Sequence, residues 1–141
     1  MKNEKFKLAV RKASKEMWNV LPLILGTILL ISLANAIIPK SFYINIFQNN
    51  LLLDSFIGSA IGSILAGHPI TSYIIGGELL KQGISLVAVT AFLVAWVTVG
   101  IIQLPAEAAI LGKRFALIRN ILSFISAIII AFLTVLILGG F

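Results

Sequence analysis

The stretch Ser55–Gly77, SFIGSAIGSILAGHPITSYIIGG, decides how this chain is read. For 23 residues it carries no Asp, Glu, Lys or Arg, which is enough apolar chain to cross a bilayer as one helix. Gly67-His68-Pro69 sits in its middle. Pro69 lacks a backbone N–H and crowds the preceding turn, and Gly67 loosens the chain beside it. The segment is therefore predicted as two half-helices, about 51–66 and 70–82. Gly76 and Gly77 weaken the second half further.

The first half carries a second pattern. Gly58, Gly62 and Ala66 recur every four residues, and so do Ser55, Ser59, Ser63 and Gly67. Two adjacent ridges of small residues let another helix backbone approach closely. That partner is either a helix of the same chain or one in a second copy.

Working outward, three more apolar segments appear. The first runs over about 18–38, opens with the interfacial aromatic Trp18 and is closed by Pro39 and Lys40. Residues 41–54 are too polar to span, and Phe42, Tyr43 and Phe47 mark them as interfacial. The third segment covers about 84–104. The last, about 105–140, is predicted as one helix that begins near Pro105 and carries Glu107, Lys113, Arg114 and Arg119 in its first part.

Composition agrees with this pattern. Of 141 residues, 60% are hydrophobic and 11% charged. Soluble domains average about 45–50% and about 25%. The fold class is an all-α integral membrane protein of four apolar helical segments. A basic tail at 1–16 precedes a single membrane domain at 17–141.

The absence of cysteine excludes disulfides, zinc–thiolate sites, iron–sulfur clusters and thiol catalysis. One histidine and five acidic residues leave little for acid–base work. No Ser–His–Asp set, HExxH, P-loop or dinucleotide turn occurs. The expectation is a protein that is not an enzyme, with no catalytic residue, resident cofactor or metal.

Of the net charge of +6, residues 1–16 hold six basic side chains against Glu4 and Glu16. Phe6, Val10, Ala13 and Met17 recur at helical spacing among them, so the tail reads as an amphipathic helix on the lipid surface. The positive-inside rule then puts the N-terminus in the cytoplasm, with the chain crossing the cell membrane several times. Nucleic acid is not an expected partner, since the basic residues are not spread over a folded surface.

Two topologies follow. If the Ser55–Gly77 segment crosses, seven basic residues lie inside and four outside. If it re-enters as a hairpin, Lys113, Arg114 and Arg119 join the tail inside, and only Lys40 and Lys81 remain outside. Nine against two favours the hairpin.

The break is also the main candidate for chemistry. A half-helix starting at Pro69 in mid-membrane presents free N–H groups at a positive dipole end, which suits polar or anionic solutes. Thr71 and Ser72 add hydroxyls, and His68 is a proton carrier by type. Glu107, close to Gln103 in sequence, is either a helix-start carboxylate or an intramembrane group that couples ion movement. The spacing to Arg114 allows an ion pair on one helix face. The expected solute pathway is thus Gly67, His68, Pro69, Thr71, Ser72, Gln103 and Glu107, with helix packing at Gly58, Gly62 and Ala66.

The run Ala66-Gly-His-Pro-Ile-Thr-Ser-Tyr-Ile-Ile through Leu79, and the later Leu104-Pro-Ala-Glu-Ala-Ala-Ile-Leu-Gly-Lys-Arg-Phe-Ala, resemble the arsenical-permease-like "predicted permease" family. The resemblance covers about residues 55–135. Members are usually about twice this length with two related halves, so the chain looks like a half-size member. The resemblance implies a permease with its site near 67–72. Arsenic-linked members often carry a cysteine motif at the pore that is missing here, which argues against thiol-based handling. A half-size permease implies a homodimer or higher homo-oligomer in the lipid bilayer and a small solute as cargo. The contrasting reading is a non-transporting membrane subunit for assembly or regulation.

Overall fold

The computed structural model describes residues 2–65 and 67–139, and every regular element in them is helical. They fall into two units, one up to residue 37 and one from residue 38 onward. Ala66, one of the small residues singled out above, lies outside the described residues.

The first unit is one helix, α1 (Lys2–Ile37). At 1.5 Å per residue its 36 residues reach about 54 Å, well beyond the ~30 Å of hydrocarbon in a bilayer. The basic run and the first apolar run therefore share a single rod, with no interruption between tail and span. Pro22 lies inside it and removes one ladder hydrogen bond. Side chains such as Phe6, Met17, Trp18, Leu29 and Leu30 are exposed along it, as lipid-facing groups are.

The second unit contains α2 (Lys40–Ile46), α3 (Leu51–Ile64), α4 (Pro69–Lys81), α5 (Leu86–Thr98), α6 (Leu104–Leu111) and α7 (Lys113–Ile137). Local chemistry explains the ends. The Asn50 side chain accepts from the N–H groups of Leu52 and Leu53 and starts α3. Ser85 caps α5 through the Ala88 N–H at 3.3 Å. Pro69 stands at the first position of α4, where its missing N–H costs nothing.

α3 and α4 form a hairpin around α5. The α3 contacts climb α5 in step, with Gly58 against the Ala88 backbone and Gly62 against Phe92 and Trp96. Those of the returning arm descend it, from Gly67 in the turn before α4, at Trp96, to Gly76 of α4, at Val89 and Leu93. α3 is thus parallel to α5 and α4 antiparallel. The hairpin base closes where Phe47, Ile84, Ala88 and Val89 are buried together, with Tyr43 and Ile46 of α2 packed on them. Asp54 is fully buried at the start of α3, and its Oδ1 accepts the Gln48 N–H at 3.0 Å. With 14 and 13 residues, the two arms are each about 20 Å long, too short to cross hydrocarbon.

α7 runs antiparallel to α5. Val87 and Ala91 pack on Ala131 and Val135, while Ala95 and Val99 pack on Ala127. The small residues on both sides allow a close seam. Phe56 of α3 meets Phe124 of α7 edge-on, with centroids 5.3 Å apart.

The last apolar stretch departs from the single helix expected from Pro105. Gly112, at φ +93°, ends α6 and turns the chain back into α7. This left-handed backbone suits glycine and strains other residues. α6 therefore lies antiparallel to α7 and prolongs α5 beyond a gap at 99–103. The third segment is a broken helix, 86–111, and Pro105 restarts it. The last helix begins only at Lys113. Two helices among the described residues, Glu4–Ile37 and Lys113–Ile137, are long and apolar enough to cross a membrane unbroken.

Candidate functional site

The hairpin tip ends beside the gap in the α5–α6 helix. At the tip, Leu65 leaves the helical conformation after its N–H has bonded Ile61 O at 3.2 Å. The chain turns through Gly67 and His68 and re-enters a helix at Pro69. At the gap, Val99 N–H makes the last α5 bond, to Ala95 O at 2.8 Å. The chain passes through Gly100, Ile101 and Ile102 before Gln103 leads into α6.

A cavity of about 150 Å³ lies between the two breaks. Ser63, Leu65, Gly67 and Pro69 line it from the hairpin, and Trp96, Gly100, Ile102 and Gln103 from the broken helix. The indole N–H of Trp96 donates to Gly67 O at 3.3 Å and fastens the tip to the gap. A Cβ on Gly67 would lie 3.2 Å from the Trp96 ring, so the lack of a side chain lets the indole sit against the tip. The lining thus combines backbone that has left the helix ladder at two breaks with the Gln103 amide and the Ser63 hydroxyl, which donates to Ala60 O at 2.8 Å and keeps its acceptor side. Such a wall can hold a small polar solute without a fixed charge of its own.

The residues expected from sequence divide in two. Gly67, Pro69 and Gln103 meet at the cavity although 34 positions separate Pro69 from Gln103. His68, Thr71, Ser72 and Glu107 do not line it. His68 caps α4, its Nδ1 accepting the Ile70 N–H at 3.3 Å, while its carbonyl accepts the Thr71 N–H at 2.9 Å. Ser72 is buried and donates to Pro69 O at 2.7 Å. These groups stabilise the helix restart behind the cavity. Gly58 and Gly62 touch α5 of the same chain.

Glu107 sits in a polar cluster just past the gap. It pairs with Arg119 and not with Arg114, because the turn at Gly112 brings the next stretch of α7 alongside α6. Its second oxygen accepts from Asn120 Nδ2 at 3.3 Å. Asn120 also accepts the Gly100 N–H at 2.9 Å. Glu78 and Lys81, by contrast, pair on one turn near the end of α4, at 3.5 Å.

Trp96, Gly100, Ser63 and Asn120 were absent from the expected site. Gly100 and Asn120 carried a readable signal: a lone glycine late in an apolar segment, and a lone amide at the edge of an apolar run. Trp96 carried none, since an aromatic residue in an apolar helix is ordinary.

A larger groove of about 430 Å³ runs along α5 and α7 between residues such as Val94, Ile118, Leu122 and Ile130. Its wall is mostly apolar and it touches neither the hairpin tip nor Gln103, so the smaller cavity is the better candidate.

A broken helix and a short hairpin aimed at the break meet around one polar cavity, an arrangement of the kind that transporter folds use to hold solutes. The chain belongs to the predicted permease family, whose model matches residues 6–139. No curated protein and no solved structure matches it.

Proposed function

We propose that this chain is a half-size permease subunit that moves a small polar or ionic solute across the cell membrane. The solute site is the cavity between the hairpin tip and the α5–α6 gap. The observation that carries this reading is the meeting of two helix breaks around one polar cavity. Breaks leave backbone groups unpaired by the helix ladder, and in a bilayer such groups are tolerated where they face protein or an aqueous path. Family membership supports the transport role.

In the proposed topology α1, the broken α5–α6 helix and α7 cross, and α3–α4 re-enters from the outer side. The N-terminus is cytoplasmic. This arrangement gives nine basic residues inside and two outside, and it agrees with hairpin arms of about 20 Å. The pathway comprises Gly67, Pro69, Ser63 and Gln103 at the wall, with His68, Thr71, Ser72 and Glu107 around it. Three crossings and a hairpin enclose little on their own, which supports assembly as a homodimer or higher homo-oligomer. The glycine ridge on α3 is taken up by α5, so the contact between copies uses another face.

The test is a thermal-stability screen of the purified chain against small polar and ionic solutes. A stabilising solute should lose its effect in Gln103→Leu and keep most of it in Thr71→Val. A response that survives Gln103→Leu unchanged would reject the cavity as the site.

A further inference from the structure

We infer that Asn120 is a positioning residue for the cavity wall, and that Glu107 acts on the cavity through it. The inference rests on the reading of the cavity as the solute site.

Helix α5 stops where Asn120 intervenes. In a continuing helix the Gly100 N–H would bond the carbonyl of Trp96. It donates instead to Asn120 Oδ1 at 2.9 Å, across to α7. Asn120 is 6% exposed, and its amide nitrogen has two acceptors, Ala116 O at 3.0 Å and Glu107 Oε2 at 3.3 Å. An amide fits a site either way round, and its neighbours choose. Here a carbonyl and a carboxylate both claim the NH₂ end. Only the orientation with Oδ1 toward Gly100 satisfies all three partners.

Glu107 is held in turn by Arg119, the residue before Asn120 on α7. The cluster therefore ties α6, α7 and the end of α5 together. Its effect reaches the cavity because Gly100 lines it and the Gln103 side chain rests on Gly100. A Cβ added there would lie 2.9 Å from Gln103 Oε1. Moving Gly100 moves the Gln103 amide. Neither Asn120 nor Glu107 lines the cavity, yet the shape of its wall depends on both.

The natural chain has no cysteine, so one introduced thiol reports without background. Ile102→Cys places the reporter in the cavity lining, and Leu80→Cys, near the end of α4, serves as a control. Each is reacted as the full chain with a water-soluble maleimide. Asn120→Ala should speed reaction at position 102 about tenfold, the factor that corresponds to about 1.4 kcal/mol, and leave position 80 unchanged. Glu107→Gln should give a smaller rise and add nothing once Asn120 is alanine.

Asn120→Asp keeps an acceptor for Gly100 but sets a second carboxylate against Glu107. Its rise at position 102 should be reversed by Glu107→Gln, and this rescue carries the test if Asn120→Ala does not fold. An unchanged rate at 102, equal acceleration at 102 and 80, additive single effects or failed rescue would each overturn the inference. The rates are read without solute, so a failed solute screen and a failed relay are told apart.

Discussion

Replacing Gly62 by alanine tests the packing that turns α3 into one arm of a hairpin. An ideal Cβ on Gly62 lies 2.3 Å from the carbonyl oxygen of Phe92 and 3.1 Å from the Trp96 nitrogen. Carbon and oxygen ordinarily approach no closer than about 3.3 Å, so α3 and α5 must part locally by about 1 Å. A gap of that size forfeits about a quarter to a half of each dispersion contact along the seam. Both obstructing groups are backbone, which no rotamer change can move aside. Overpacking of this kind costs about 1–3 kcal/mol.

The same substitution also gains helix propensity, about 0.5–1 kcal/mol. Gly77→Ala isolates that gain, since nothing lies within 4 Å of its Cβ on α4. The propensity contribution cancels between the two variants, so Gly62→Ala should be about 1–3 kcal/mol less stable than Gly77→Ala. Thermal unfolding in one detergent, followed by the helical circular dichroism signal, measures the difference. Equal midpoints would refute the parallel α3–α5 seam, and with it the hairpin. Gly58, whose Cβ would lie 2.3 Å from Ala88 O, provides an independent repeat.

Topology is read by single cysteines at Lys81, Lys113 and Leu138 in intact cells. An impermeant thiol reagent added outside should label 81 and 138 and spare 113, and the reverse pattern at 81 and 113 would make the hairpin a crossing segment. Trp96→Phe keeps most of the ring volume but loses the N–H donor to Gly67 O, at a cost of about 0.5–1.5 kcal/mol. Its thermal midpoint should fall accordingly, and an unchanged midpoint would mean the tip is not fastened there. Gly112→Ala forces a side chain into the φ +93° turn and should lower stability by about 1–2 kcal/mol in the same melt. No loss there would contradict the α6–α7 reversal.

Several features were legible because they are local. Composition alone points to a membrane protein, since 60% apolar residues is well above the roughly 45–50% of an average soluble domain. The break before Pro69 follows from Pro69 and Gly67, whose backbone preferences act on their own turn whatever surrounds them. The ridge of Gly58 and Gly62 announces a close helix contact by the same logic, because a missing side chain is visible in the sequence.

Partners and directions were decided only in three dimensions. The ridge does not name α5, since any helix backbone fits a surface without side chains. Glu107 is as well spaced for Arg114 as for other basic groups. It meets Arg119 because Gly112 adopts a positive φ and reverses the chain, and a glycine is equally free not to do so. Assignment of α6 to the third helix instead of the last follows from that one dihedral angle. Likewise the union of Gly67, Pro69 and Gln103 around one cavity depends on two hydrogen bonds between segments far apart in sequence, Trp96 to Gly67 and Gly100 to Asn120. Periodicity and composition encode how a segment bends and which face it hides. Which segment it bends toward is settled by packing and hydrogen bonds that no local pattern contains.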